Sequence, residues 1–84
     1  IMSLIEQIKE KINNKIKTEN IILIDNSRLH AKHKSFDPKK VHLKIIIKSD
    51  ELRNMSKIAA HKEIFSILKD EMTNKIHALE IDIK

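Results

Sequence analysis

Apolar residues near the N-terminus recur at helical spacing. Leu4, Ile5, Ile8, Ile12 and Ile16 form one stripe, with Lys and Glu on the other side. Ser3 and Glu6 fit a capping box, in which the Ser hydroxyl accepts the amide three residues on and the Glu reaches back. Asn13-Asn14 weakens the pattern, so the helix is expected to fray between Lys17 and Asn20. Ile21 to Asp25 is a short β-branched run, which predicts a strand. Val41 to Lys48 predicts a stronger one. It sets Val41, Leu43, Ile45 and Ile47 on one face and His42, Lys44, Ile46 and Lys48 on the other. Ile46 leaves that second face partly apolar.

Ser49-Asp50-Glu51 predicts a short helical turn, and Ser56 is the N-cap of a further helix. Ile58, His61, Ile64, Phe65, Leu68 and Met72 should run along one side of that helix until Thr73-Asn74 breaks it. The closing stretch, Ile76 to Ile83, alternates as a strand. His77, Leu79, Ile81 and Ile83 share one face, with Ala78, Glu80 and Asp82 on the other. The order α-β-β-α-β predicts an α+β fold with a three-stranded mixed sheet. The first two strands should pair antiparallel. The helical crossover makes the last pair parallel, and the helices cover one face of the sheet. No repeat or second domain is visible, so residues 1–84 read as a single domain with a long loop, 26–40, between the first and second strands.

Composition narrows the chemistry. A chain of 84 residues holds one small core, and such chains bury only about 60% of their unfolded surface. The absence of Cys removes disulfides, a thiol nucleophile, a Cys-ligated zinc site and a self-contained Cys-bound iron–sulfur cluster. The absence of Gly removes a P-loop, a dinucleotide fingerprint and the GxxG clamp of KH domains. No apolar run approaches the ~20 residues that span a bilayer, and the N-terminus has no signal- or transit-peptide pattern. The net charge of +5 favours acidic partners or nucleic acid. The combined use of Ile, Lys and Asn also fits codon drift in an A+T-rich genome, which raises Lys without selection for DNA. With no Trp or Tyr and two distant Phe, a base-stacking platform is not indicated.

Five histidines are the compositional oddity. His61, between Ile58 and Phe65, reads as a structural histidine donating to a backbone carbonyl or a carboxylate. His42 alternates onto the polar face and reads as a surface or partner-surface residue. His30 and His33, in HAKH, have loop spacing that can ligate a metal. They lie in a loop of fifteen residues, Asn26 to Lys40, far longer than a hairpin needs. It is expected to be mobile when unbound. His77 suits a ligand, since neutral imidazole binds zinc, copper or iron while its second nitrogen is oriented by an acceptor. Spacing alone still favours a half-buried histidine ending an apolar ladder. Glu80 and Asp82 read as solvated carboxylates. A triad of Ser27, His30 and Asp25 lacks an oxyanion turn, so the chain is not read as an enzyme.

Several segments together resemble the BolA-like proteins. MSLIEQIKEKI looks like the family's first helix, and IDNSRLHAKH is similar to its acidic-Ser-x-x-His segment. VHLKIIIKSD looks like its His-Phe strand, with Leu43 in place of the aromatic. AAHKEIFSILKDEM is similar to its Arg-His-Arg helix, with Ala60 and Lys62 flanking His61, and IHALEI to its closing His-Ala-Leu strand. The resemblance implies a fold like class II KH domains. It also implies a non-enzymatic adaptor that pairs with a monothiol (CGFS-type) glutaredoxin as a heterodimer, sharing a [2Fe–2S] cluster also held by glutathione. The metal ligands it implies are His77 and, from the loop, His30, with His33 as the alternative. The isolated chain is then expected to be a monomer without a cofactor. The eroded Arg-His-Arg motif and the end at Lys84, where many relatives continue with another helix, are departures. Roles resting on those features are not carried over.

A rival reading is a DNA-binding transcriptional regulator, as some BolA-like proteins are described. A third is zinc or copper binding by His30, His33 and His77 without a partner. The expected location is the bacterial cytosol, or an organelle after presequence removal, with no membrane association.

Overall fold

The computed structural model describes residues 2–30 and 40–84. Helix α1 spans Leu4–Lys15, and the Ser3 hydroxyl accepts the Glu6 amide at 3.2 Å, as the capping pattern predicts. Ile8 and Ile12 are fully buried along its inner stripe. The chain leaves the helix at Ile16, which is extended, and Thr18 Oγ1 donates to Asn13 Oδ1 at 2.7 Å. The Asn pair thus sits where the helix ends.

Strands β1 (Asn20–Asp25), β2 (Val41–Lys48) and β3 (Ile76–Ile83) form one sheet in the order β1-β2-β3. β1 and β2 are antiparallel, with Ile22 opposite Ile46 and Leu23 opposite Ile45. β2 and β3 are parallel, with Ile45 opposite Ile81. A 3-10 turn, Ser27–His30, follows β1; residues 31–39 lie outside the described residues.

The helices pack on one face of the sheet. Ile21, Leu43, Ile45, Ile47 and Ile76 meet Ile8, Ile12, Ile16, Leu52, Ala60, Ile64 and Leu68 in the core. Each fully buried aliphatic side chain stabilises the fold by about 1.5–3 kcal/mol, so this set dominates the stability of so short a chain. On the opposite face Ile22 and Ile24 are exposed and Ile46 is half-buried, which makes that face partly apolar, as the alternation of β2 predicts.

Helix α2 (Asp50–Arg53) is capped by Ser49, a buried hub. Its hydroxyl accepts from Leu52 N at 3.2 Å and donates to Lys17 O at 2.8 Å. Helix α3 (Lys57–Ile67) opens with the Ser56 hydroxyl accepting from Ala59 N at 3.1 Å.

Two expectations are corrected in this region. Ile58 is 70% exposed and Phe65 is 38% exposed, so neither belongs to the core. The buried stripe is Ala60, Ile64 and Leu68, spaced four apart. The single helix expected to reach Met72 is interrupted at Leu68, and α4 (Lys69–Asn74) follows. Lys11 Nζ meets Glu71 Oε1 at 3.0 Å, which ties α1 to α4.

Candidate functional site

The first residues of β2 and β3 build the site. Val41 lies opposite Ile76, and Val41 N–H donates to Lys75 O at 3.0 Å. One step later the register shifts, and His42 lies opposite Ala78. His77 is therefore an extra residue between two paired ones. Such bulges locally re-aim side chains, and they are over-represented next to active sites. The shift changes the alternation of β3. Ile76 is buried before it, and Leu79, Ile81 and Ile83 pack against the core after it. His77 does not share their face, as plain alternation predicts. It is exposed, and its ring lies against that of His42, with centroids 4.8 Å apart and a tilt of 38°.

His42 is a second correction. Read as a surface position, it is only 9% exposed. The cause is tertiary: the His77 ring lies against it, and its backbone is gripped by the residues that leave β1. Asn26 N–H donates to His42 O at 2.7 Å, and His42 N–H donates to Ser27 Oγ at 3.2 Å. Ser27 is itself clamped: its N–H donates to Asp25 Oδ1 at 2.9 Å and its hydroxyl to the same oxygen at 2.5 Å. Asp25-x-Ser27 thus forms a local side-chain-to-backbone turn that starts the 3-10 segment. The Ser27 hydroxyl is committed to this clamp, not to a nucleophilic triad.

His30 closes the 3-10 turn that begins at Ser27. His33 lies outside the described residues. His61 sits on α3 apart from the pair, and its Nδ1–H donates to Lys57 O at 2.8 Å, the structural role read from its spacing. Glu80 pairs with Lys44 at 3.3 Å and Asp82 with Lys84 at 3.1 Å. These are solvent-facing pairs of small energetic weight. Among the described residues no three His, Cys, Asp or Glu side chains are grouped to hold a metal ion. The arrangement presents one exposed imidazole backed by a buried one, and the buried one is bonded through its backbone to Asn26 and Ser27 at the start of the turn that ends at His30. Sequence reasoning named His42 and Ser27 but did not read the clamp between them; the Asp25-x-Ser27 spacing was the available signal.

The sequence profile described as BolA-like protein matches residues 12–84. The UV-induced protein uvi31 of Schizosaccharomyces pombe is 31% identical over 80 residues, covering 90% of this chain and 78% of that protein. The DNA-binding transcriptional regulator BolA of Haemophilus influenzae is 27% identical, covering 98% of this chain and 77% of that protein. The solved BolA domain of SufE1 from Arabidopsis thaliana superimposes with a TM-score of 0.82 at 28% identity, covering 100% of this chain and 94% of that one. The α+β order, the mixed sheet and these matches agree: the chain belongs to the BolA-like protein family.

Proposed function

We propose that this chain is a non-enzymatic adaptor that pairs with a monothiol glutaredoxin to complete a shared [2Fe–2S] cluster, in cluster delivery or iron regulation. One observation carries the reading. The bulge at the start of β3 turns the His77 imidazole outward and away from the core-facing row of its own strand. A regular strand has no reason to spend a register shift on a solvated histidine.

The donor chemistry fits the group. Imidazole is a good ligand for iron, and histidine replaces cysteine on one iron of some [2Fe–2S] centres, raising the potential. When bound, the cluster supplies one-electron chemistry and is itself the cargo. In this chain His77 is the strand ligand. The second ligand is His30, or His33 in its place, brought in by the segment that leaves Ser27. The glutaredoxin and glutathione supply the remaining thiolates. Chain surfaces rich in Lys meet an acidic patch on the partner.

The test is reconstitution of a cluster with a monothiol glutaredoxin and glutathione, with and without this chain. The visible circular dichroism should change when the chain is added, and His77→Ala should abolish that change. An unchanged spectrum would sink the reading.

The name of the Haemophilus relative and the charge of +5 favour a second reading, a DNA-binding regulator. Gel shifts across a salt series separate the two. Sequence-specific binding that survives physiological salt supports the regulator, whereas weak, sequence-blind binding reflects Lys charge alone.

A further inference from the structure

We infer that His42 is the positioning residue of the site, the common anchor that holds both candidate ligand segments in place. The inference rests on the proposed ligand role of His77. Three contacts converge on this one residue. Its ring backs the His77 ring at 4.8 Å between centroids. Its carbonyl accepts from Asn26 N at 2.7 Å and its amide donates to Ser27 Oγ at 3.2 Å. The first contact fixes the strand ligand. The other two fix the start of the 3-10 turn that ends at His30. Ser27 is held in turn by two hydrogen bonds to one carboxylate oxygen of Asp25, and the turn cannot slide along β2 without breaking the two bonds to the His42 backbone.

The physical need is clear. An exposed imidazole at the start of an edge strand samples several rotamers, and each lost rotamer costs binding free energy when a partner docks. A ring already seated on a buried neighbour has lost most of that freedom beforehand. His42 suits this support because it is itself immobile: 9% exposed, in the middle strand of the sheet, with both backbone groups engaged. The two rings meet at the bulge itself, where His77 is the extra residue and Ala78 is the register partner of His42. Ala78 has no bulk to push the His77 ring aside.

The support acts through the face of the ring, so an aromatic side chain without ring nitrogens should replace it. His42→Ala and His42→Phe are compared with the wild type in two settings. In the free chain, nuclear magnetic resonance couplings report the His77 rotamer. The wild type and His42→Phe should show one dominant rotamer, and His42→Ala an averaged one. In the glutaredoxin complex, cluster release to a chelator should be about 10-fold faster for His42→Ala and near wild type for His42→Phe. Circular dichroism in the far ultraviolet checks that each variant is folded. Should His42→Ala not fold, His42→Phe decides: a wild-type rotamer and release rate support ring contact, and an averaged rotamer overturns it. A folded His42→Ala with a wild-type rotamer and release rate also overturns the inference. If His77→Ala leaves the cluster spectrum unchanged, the ligand reading itself fails, while the rotamer comparison in the free chain still decides whether His42 positions His77.

Discussion

Ile76 and Leu79 both pack into the core although they stand three positions apart on β3. In a regular strand residues three apart face opposite sides. The extra residue, His77, resolves the conflict by shifting the register between Val41 and His42. Deleting His77 should therefore leave a regular strand with every core residue still inward. A deletion inside a strand normally turns all later side chains over. Here the shortened chain should fold with a urea midpoint near that of the wild type and lose cluster binding entirely. A chain that fails to fold after this deletion would show that the bulge is structural.

Ser49 predicts a large effect from a small change. Its buried hydroxyl both caps α2 and holds the carbonyl of Lys17. Ser49→Ala removes a cap and leaves that part-buried carbonyl without its donor, at a cost of about 2 kcal/mol. Urea unfolding should show this as a lower midpoint with an unchanged slope. A loss below a few tenths of that amount would mean that water replaces the hydroxyl.

The pair of Lys11 and Glu71 predicts a pH dependence. Burial alone would raise the Glu71 carboxyl, but the hydrogen bond from Lys11, a backbone hydrogen bond and the charges of Lys11 and Lys75 together outweigh it and hold the group below its ordinary value of 4.5. A depressed carboxyl stabilises the fold above its unfolded value, and that contribution is lost as pH falls through the folded value. Glu71→Gln should thus cost about 1 kcal/mol near neutral pH and progressively less in acid. Paired urea titrations of wild type and variant would measure the gap. A gap that stays constant with pH would contradict the assignment.

Helix α3 separates buried from exposed apolar positions. Ile64→Ala, at a fully buried site, should cost about 2–5 kcal/mol. Ile58→Ala, at a site 70% exposed, should stay within about 0.5 kcal/mol. Equal effects in thermal or urea unfolding would mean that α3 is rotated about its axis.

These contrasts show where the sequence was readable. The stripe of α1, the alternation of β2, the caps Ser3 and Ser56 and the short turn at Ser49-Asp50-Glu51 are local signals, and each reappears in the structure. The sheet order follows from the helical crossover, which forces β2 and β3 parallel. Helix α3 was less readable because Ile58, Ile64, Phe65 and Leu68 spread over a wide arc of the helix. Which part of that arc is buried depends on the sheet it meets, and no residue within the helix encodes that choice. The bulge at His77 depends on its pairing with β2, so alternation alone put the ring on the wrong face. The burial of His42 required two long-range partners, His77 and Ser27. His77 itself was legible as a candidate ligand; its support was not.

In the proposed function, His77 is the strand ligand of a cluster shared with a glutaredoxin. Pulsed electron paramagnetic resonance of the reduced shared cluster tests it most directly, with only this chain labelled with nitrogen-15. A nitrogen-15 coupling of the size of a bound imidazole is predicted for the wild type. In His77→Ala the coupling assigned to this ligand should disappear. A cluster formed with the labelled wild-type chain but showing no nitrogen-15 coupling, or the same couplings after His77→Ala, would contradict the account.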